Sequence, residues 1–314
     1  VKNVGILFGD FIQWISDPFY KQIHNDAYLQ FVSFARKYGL NIFVSTFEQC
    51  SNGCLELAWS NEGGCWKLQN KINLDLIYDK ARANTERNRL KLQLCGNVRI
   101  FNHPELSHIC WDKKLTYELF PDLLPLTICP TTKESFPVTK RYSFSDRKVL
   151  KPRFGIMGSG VRLLGPGCSE EIVQDGNFIL QNYVDSSRGI PELGISGKHD
   201  LRITLINGVP GHAFVRQPPI GSIVSNLALG GRMIDVDIER VPDSVLSIVS
   251  KVDNYMSRFG ERIYTIDFAI DENDRPWILE MESSPTFSYP PEMEYKKLGF
   301  MKTIATVLKQ LTDN

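Results

Sequence analysis

The sequence has little of what most catalytic schemes need. Histidine occurs 5 times in 314 residues, and no Ser/His/Asp or Cys/His arrangement for a covalent nucleophile is readable. The 7 cysteines, an odd and scattered set, argue against a disulfide framework and for a reduced, cytoplasmic setting. Cys50, Cys54 and Cys65 lie near one another, but without a CxxC pair or a neighbouring histidine they read as free thiols and not as a zinc site. Excess charge is also missing. Lys+Arg and Asp+Glu are both 36, for a formal net charge of zero, so there is no general basic field for nucleic acid or an anionic membrane, and any anion site must be local. Apolar runs are short and interrupted, which leaves neither a membrane-spanning helix nor a secretory signal to expect. Internal repeats and low-complexity tracts are absent.

What is present is an ordinary globular composition, 42% hydrophobic and 23% charged, with length enough for two or three compact units. NVGILF (3–8) reads as a buried strand, 19–38 as a helix closed by Gly39, and LNIFVST (40–46) as a second strand. LDLIYD, helical ANTERNRLKLQLC and VRIFN continue the alternation, so the first hundred residues predict a small α/β domain with a parallel sheet. The stretch 47–73 has no pattern that selects an element. WDKKLTYELF (111–120) reads as a helix and TTKESFPVTKRYSFSD as a linker. From Lys148 strands dominate: KVLKPRF, GVRLL, NFILQNYV, DLRITLI and GHAFVRQ. Val245, Ile248, Val249, Val252, Tyr255, Met256 and Phe259 repeat at helical spacing as a core stripe, and a last helix covers roughly 292–311.

Three features carry chemistry. In YTIDFAIDENDRPWILEMESSP (264–285), two strands flank the turn-forming DENDRP; Glu280 and Glu282 share a face, and a hairpin can set Asp267 opposite them. Clustered carboxylates are comfortable only with a cation, and hard oxygen ligands suit Mg²⁺ or Mn²⁺; an exposed hairpin with ordinary surface acids is the plainer alternative. KPRFGIMGSGV (151–161) places Lys151 at a strand end before Gly155, Gly158, Ser159 and Gly160. Glycines there let backbone N–H groups wrap phosphate oxygens, although a simple hairpin turn fits the same residues and the GK[ST] ending of a P-loop is missing. FILQNYV turns polar at Gln181 and Asn182, an edge that could read a purine or could simply be a core strand leaving its sheet. Arg202 and Arg216, on neighbouring predicted strands, need anionic partners, which a substrate or an internal Asp or Glu would supply equally well.

The order WDKK, LKPRFGIMGSGV, LQNYV, DLR, NG, VRQ, SNLALGG and IDF…LEMESSP resembles the ATP-grasp superfamily, most of all the RimK-type amino-acid ligases and, more loosely, glutathione synthetases and YheC/YheD-type proteins. The motifs cover about 112–287; the first hundred residues match in architecture only. The resemblance implies an ATP-grasp fold of mixed α/β and α+β class, with an N-terminal parallel-sheet domain (1–108), a small central subdomain (109–185) and a C-terminal catalytic subdomain (186–314).

By position, the resemblance puts Lys113 (with Lys114 as competitor) and Lys151 on the nucleotide phosphates under the 155–160 loop. Gln181, Asn182, Tyr183 and Val184 would lie at adenine, and Asp185 or Arg188 near the ribose. Asp267, Glu280 and Glu282 would hold magnesium, and Arg202, Arg216 and Asn226 would lie at the reacting centre. In one departure, Glu282 stands where those ligases have asparagine, adding negative charge to the metal site. The implied activity is a Mg²⁺-dependent carboxylate–amine ligase that uses ATP and forms an acylphosphate. Its partners would be a carboxylate and an amine, with no nucleic acid or membrane and with a possible homo-oligomer. A kinase on the same scaffold and a non-catalytic nucleotide-binding or interaction module are the alternatives.

Overall fold

The computed structural model describes residues 1–9, 12–82, 85–130, 145–155, 158–165, 176–222, 225, 230–287 and 289–313. The chain divides into two compact units, one of Val1–His108, Phe259–Ile263 and Ser283–Asn314, the other of Ile109–Arg258 and Tyr264–Glu282.

In the first unit, β1 (Lys2–Phe8) pairs in parallel with β2 (Leu40–Thr46) on one side and β6 (Leu76–Asp79) on the other, and β6 pairs in parallel with β7 (Arg99–Phe101). The strands β1, β2 and β6 are nearly all buried, as parallel strands covered on both faces must be. The helix Gln22–Ala35 runs into a tight turn at Arg36–Tyr38 and stops at Gly39, whose φ of 74° needs a residue without Cβ. The unpatterned stretch turns out to be sheet: β3 (Cys50–Ser51), β4 (Cys54–Glu62) and β5 (Cys65–Asn73) form antiparallel ladders that widen it to seven strands. The final helix, Glu294–Asp313, buries Phe300, Met301, Ile304 and Leu308 and belongs to this unit, so the expected 186–314 segment spans both units.

The second unit holds two antiparallel sheets. The smaller joins β8 (Thr127–Ile128), β9 (Lys148–Pro152), β10 (Arg162–Leu164) and β11 (Phe178–Asn182) in the order β10-β9-β11-β8. The larger joins β12 (Asp200–Ile206), β13 (Val209–Gln217), β14 (Arg232–Val236), β15 (Ile263–Ile270) and β16 (Pro276–Glu282) in the order β14-β13-β12-β15-β16. Alternation along β12 divides Asp200, Arg202 and Thr204 on one face from Leu201, Ile203 and Leu205 on the other. All seven residues of this strand are buried, so its polar face is packed and not solvated. The helix Asp243–Met256 buries the predicted stripe Val245, Ile248, Val249, Val252 and Met256. The predicted 111–120 helix begins later, at Lys113, and a separate helix, Pro104–Trp111, precedes it. Asp112 makes the break: its extended backbone ends one helix and its carboxylate caps the next, accepting from the Lys114 and Leu115 amides at 3.0 and 3.3 Å.

Candidate active site

The polar face of the larger sheet carries an alternating array of acids and arginines. Register pairs Asp200 with Arg216 and Asp267 with Glu280, and the side chains of Asp200, Arg202, Arg216, Asp267 and Glu282 meet across the ladders. Arg202 donates from Nε and Nη2 to the two oxygens of Asp267, each at 2.6 Å, and from Nη1 to Glu282 at 3.3 Å. Arg216 donates from Nε to Asp200 and from Nη2 to Asp267, again at 2.6 Å. The sequence Asp200–Arg216–Asp267–Arg202–Glu282 is therefore continuous. The two arginines hold the Asp267 carboxyl below its ordinary range although burial alone would raise it. Asp200 has one arginine and feels the Asp267 charge; burial pushes it up to about 6.

Two lysines approach the same hairpin. Lys113, the first residue of its helix, is buried; its Nζ donates to the Gly155 carbonyl at 2.8 Å and lies 3.8 Å from Glu280. Lys114 pairs instead with Glu118 at 2.6 Å. Lys151, on β9, donates from Nζ to the Leu279 carbonyl of β16 at 3.0 Å. Burial, then the neighbouring Lys113 charge, lowers its pKa to about 8. Cys110, Trp111, Lys113, Gly155, Glu280 and Glu282 line a small cavity beside the hairpin.

The three acids converge but do not form the cage expected from sequence. Among the described residues no three His, Cys, Asp or Glu side chains stand so as to hold a metal ion, because both Asp267 oxygens already accept from guanidinium groups. Glu280 and Glu282 remain 31% and 27% exposed. Partly solvated carboxylates of this kind are suitable hard donors for Mg²⁺, whereas Asp267 is engaged by the arginines.

β9 and β10 pair antiparallel, and between them Gly158 and Gly160 have φ of 69° and 73°, backbone that strongly favours glycine; Ser159 is exposed, and residues 156 and 157 of the expected loop lie outside the described residues. At the expected adenine edge Gln181 is 3% exposed and donates to the Thr127 hydroxyl at 2.8 Å inside the sheet. The Asn182 carboxamide oxygen accepts from the Ser145 amide at 2.9 Å, and the Tyr183 ring carries the Arg147 guanidinium at 4.1 Å. Val184 follows the strand end. Asp185 lies 3.3 Å from Arg147, and Arg188 pairs with Asp274 at 2.6 Å. Asn226 lies outside the described residues.

Sequence reasoning missed Asp200 and Arg153. The latter pairs with Asp112, its Nε at 2.7 Å, and steadies the cap that starts the Lys113 helix; the Asp beginning DLR and the Arg two residues after Lys151 were the available signals.

No protein-family profile matches the sequence. A glutathione synthetase of Prochlorococcus marinus (strain MIT 9313) is 30% identical over 188 residues, which span 58% of this chain and 58% of that relative. D-cycloserine synthetase DcsG superposes with a TM-score of 0.62 at 16% identity, covering 97% of this chain and 99% of its own. D-alanyl-alanine synthetase A from Vibrio cholerae superposes with a TM-score of 0.64 at 13% identity, covering 100% and 99%. A RimK domain protein described as ATP-grasp, from Sphaerobacter thermophilus, does so at 0.59 and 11% identity, covering 99% and 100%. Together with the motif order along the strands, these superpositions over nearly the full length identify the fold of this chain as that of the ATP-grasp proteins.

Proposed function

We propose that the chain is an ATP-dependent carboxylate–amine ligase. The observation that supports it most is the polar sheet face on which Arg202, Arg216, Glu280 and Glu282 gather with Lys113 and Lys151 nearby. That set is rich in cations and hard oxygen donors and holds no activated nucleophile, which suits phosphoryl transfer, a reaction governed by positioning and charge neutralisation. Nucleotide use is supported by a similar solved structure, a D-alanine–D-alanine ligase from Bacillus anthracis described as complexed with ATP.

In this reading a substrate carboxylate oxygen attacks the γ-phosphorus and ADP leaves; an amine then attacks the acyl carbon of the acylphosphate and phosphate leaves. Lys113 and Lys151 would bind the phosphates, and Glu280 and Glu282, with Asp267 behind them, would hold the magnesium. Bound Mg²⁺ would neutralise phosphate charge. The contacts described use three of the five Arg202 donors and two of those of Arg216, leaving N–H groups for the acylphosphate oxygens. The Lys113–Gly155 bond would have to open for a triphosphate to enter the small cavity beside it. The four-stranded sheet would cover the nucleotide and the five-stranded sheet would present the reacting groups. An amine that binds neutral needs little help to attack, and the proton it sheds on forming the amide can leave with the departing phosphate.

Incubation with ATP, Mg²⁺ and pooled amino acids tests the reading. ADP release that needs both a carboxylate and an amine is the expected result. A stable phosphoester formed without an amine would replace the ligase by a kinase, and nucleotide binding without turnover would leave a binding module.

A further inference from the structure

We propose that Asp200 is a positioning residue that aims the Arg216 guanidinium at the reacting centre, an inference that rests on the ligase reading. Asp200 begins β12 directly opposite Arg216 on β13. Its side chain is 12% exposed, and its Oδ1 accepts from Arg216 Nε at 2.6 Å, while Arg216 Nη2 reaches Asp267 at 2.6 Å. The two carboxylates therefore pin the guanidinium plane at two separate nitrogens. With Asp267 alone, the guanidinium could pivot about its single Nη2 contact and swing the remaining N–H groups; with both, their direction is set before any substrate arrives. Preorganised donors of this kind stabilise developing charge without reorienting during the reaction.

A rival account is that Asp200 merely neutralises a buried cation. The two accounts differ in what they require of the side chain. Positioning needs an oxygen at the Oδ1 place, whatever its charge; neutralisation needs a negative charge, wherever the carboxylate sits. Asp200→Asn keeps the oxygen and removes the charge, Asp200→Glu keeps the charge and displaces the oxygen by one methylene, and Asp200→Ala removes both.

The kinetic arm measures ADP release with ATP, Mg²⁺ and the amino-acid pool. Loss of a supporting hydrogen bond of this sort costs about 10–100-fold. We expect kcat to fall by that factor in Asp200→Ala and Asp200→Glu, the KM for ATP to stay within about twofold, and Asp200→Asn to recover most of kcat. Equal losses in Asn and Ala with activity kept in Glu would overturn positioning in favour of charge, and unchanged kcat in Asp200→Ala would remove Asp200 altogether. An arm independent of turnover follows the Arg216 Nε–H by nitrogen-15 NMR of arginine-labelled protein. The resonance should be protected from exchange in the wild type and in Asp200→Asn and exposed in Asp200→Glu. Protection that survives in Asp200→Glu would refute the proposal. If the wild type releases no ADP with any carboxylate and amine, the ligase reading fails and the NMR arm alone decides Asp200. Should Asp200→Ala not fold, the Asn and Glu variants make the same discrimination.

Discussion

Replacing Asp267 by Asn should destabilise the second unit sharply, and the size of the loss follows from the array. Asp267 accepts three bonds of 2.6 Å from two arginines, and the side chains of Asp267, Arg202 and Arg216 are only 3%, 9% and 18% exposed. Removing one partner of a buried ion pair costs about 3–5 kcal/mol, because the other charge stays buried without compensation. Here the lower end applies: Arg202 keeps Glu282 and Arg216 keeps Asp200. For a unit of this size 1 kcal/mol moves Tm by ~2–4 °C, so a drop of about 6–12 °C is expected. The assay is calorimetry with amide hydrogen exchange on β12 and β15, which isolates this unit where two units need not melt together. Pairing Asp267→Asn with Arg202→Met should restore part of the loss, since an uncharged pair removes one orphaned cation. A shift under about 2 °C, or a double variant as unstable as the sum of its parts, would refute the claim that Asp267 is chiefly the anchor of the arginines. The acid limb carries the same signature: the Asp267 carboxyl is depressed, so its stabilisation is present above the unfolded value of ~3.9 and lost as pH falls through the folded one. Asp267→Asn should therefore flatten stability at low pH.

Lys151, lowered to about 8, is charged below that pH, so nucleotide affinity should weaken as pH rises past about 8; titration calorimetry at pH 8–9 should show proton uptake that Lys151→Met abolishes, and a pH-independent affinity would contradict the role. The same depression makes the folded state bind fewer protons than the unfolded one between pH ~8 and ~10.4, so the Lys151 contribution to stability should rise over that window and vanish in Lys151→Met. Glu280→Gln, altering a side chain that is 31% exposed, should leave Tm within about 2 °C while Mg²⁺-dependent ADP release falls at least tenfold; full turnover would exclude Glu280 from the metal. Among the described cysteines, iodoacetamide at pH 8 should label the exposed Cys65 and Cys95 first and spare Cys110 and Cys50, both buried, with the Cys50 thiol pushed up to about 11; mass spectrometry showing early Cys110 alkylation would count against the packing beside Glu282.

Much of the architecture was legible because local patterns carried it. The runs 40–46 and 200–206 are strands with those bounds, the 243–256 helix buries its stripe, and the acidic hairpin forms with Asp267 opposite Glu280. The widening hairpins β3–β5 were not legible: β5 leaves most of its residues exposed, and an edge strand without a buried face has no alternation to read. The partner of Gln181 was not legible for a related reason. Its polarity shows in sequence, but only pairing reveals that Thr127, more than fifty positions earlier, takes its amide.

Sequence by itself determined the inventory: which acids, arginines, lysines and glycines exist, their order, and, through the period of two, which of them share a sheet face. Tertiary structure decided their partners. Strand order brings β12 beside both β13 and β15, and that adjacency, set by burial of the apolar faces, lets two arginines capture Asp267 and leaves Glu280 and Glu282 more exposed. Charge pairing across strands depends on distance in space, and a sequence contains no distances beyond its own short-range periods.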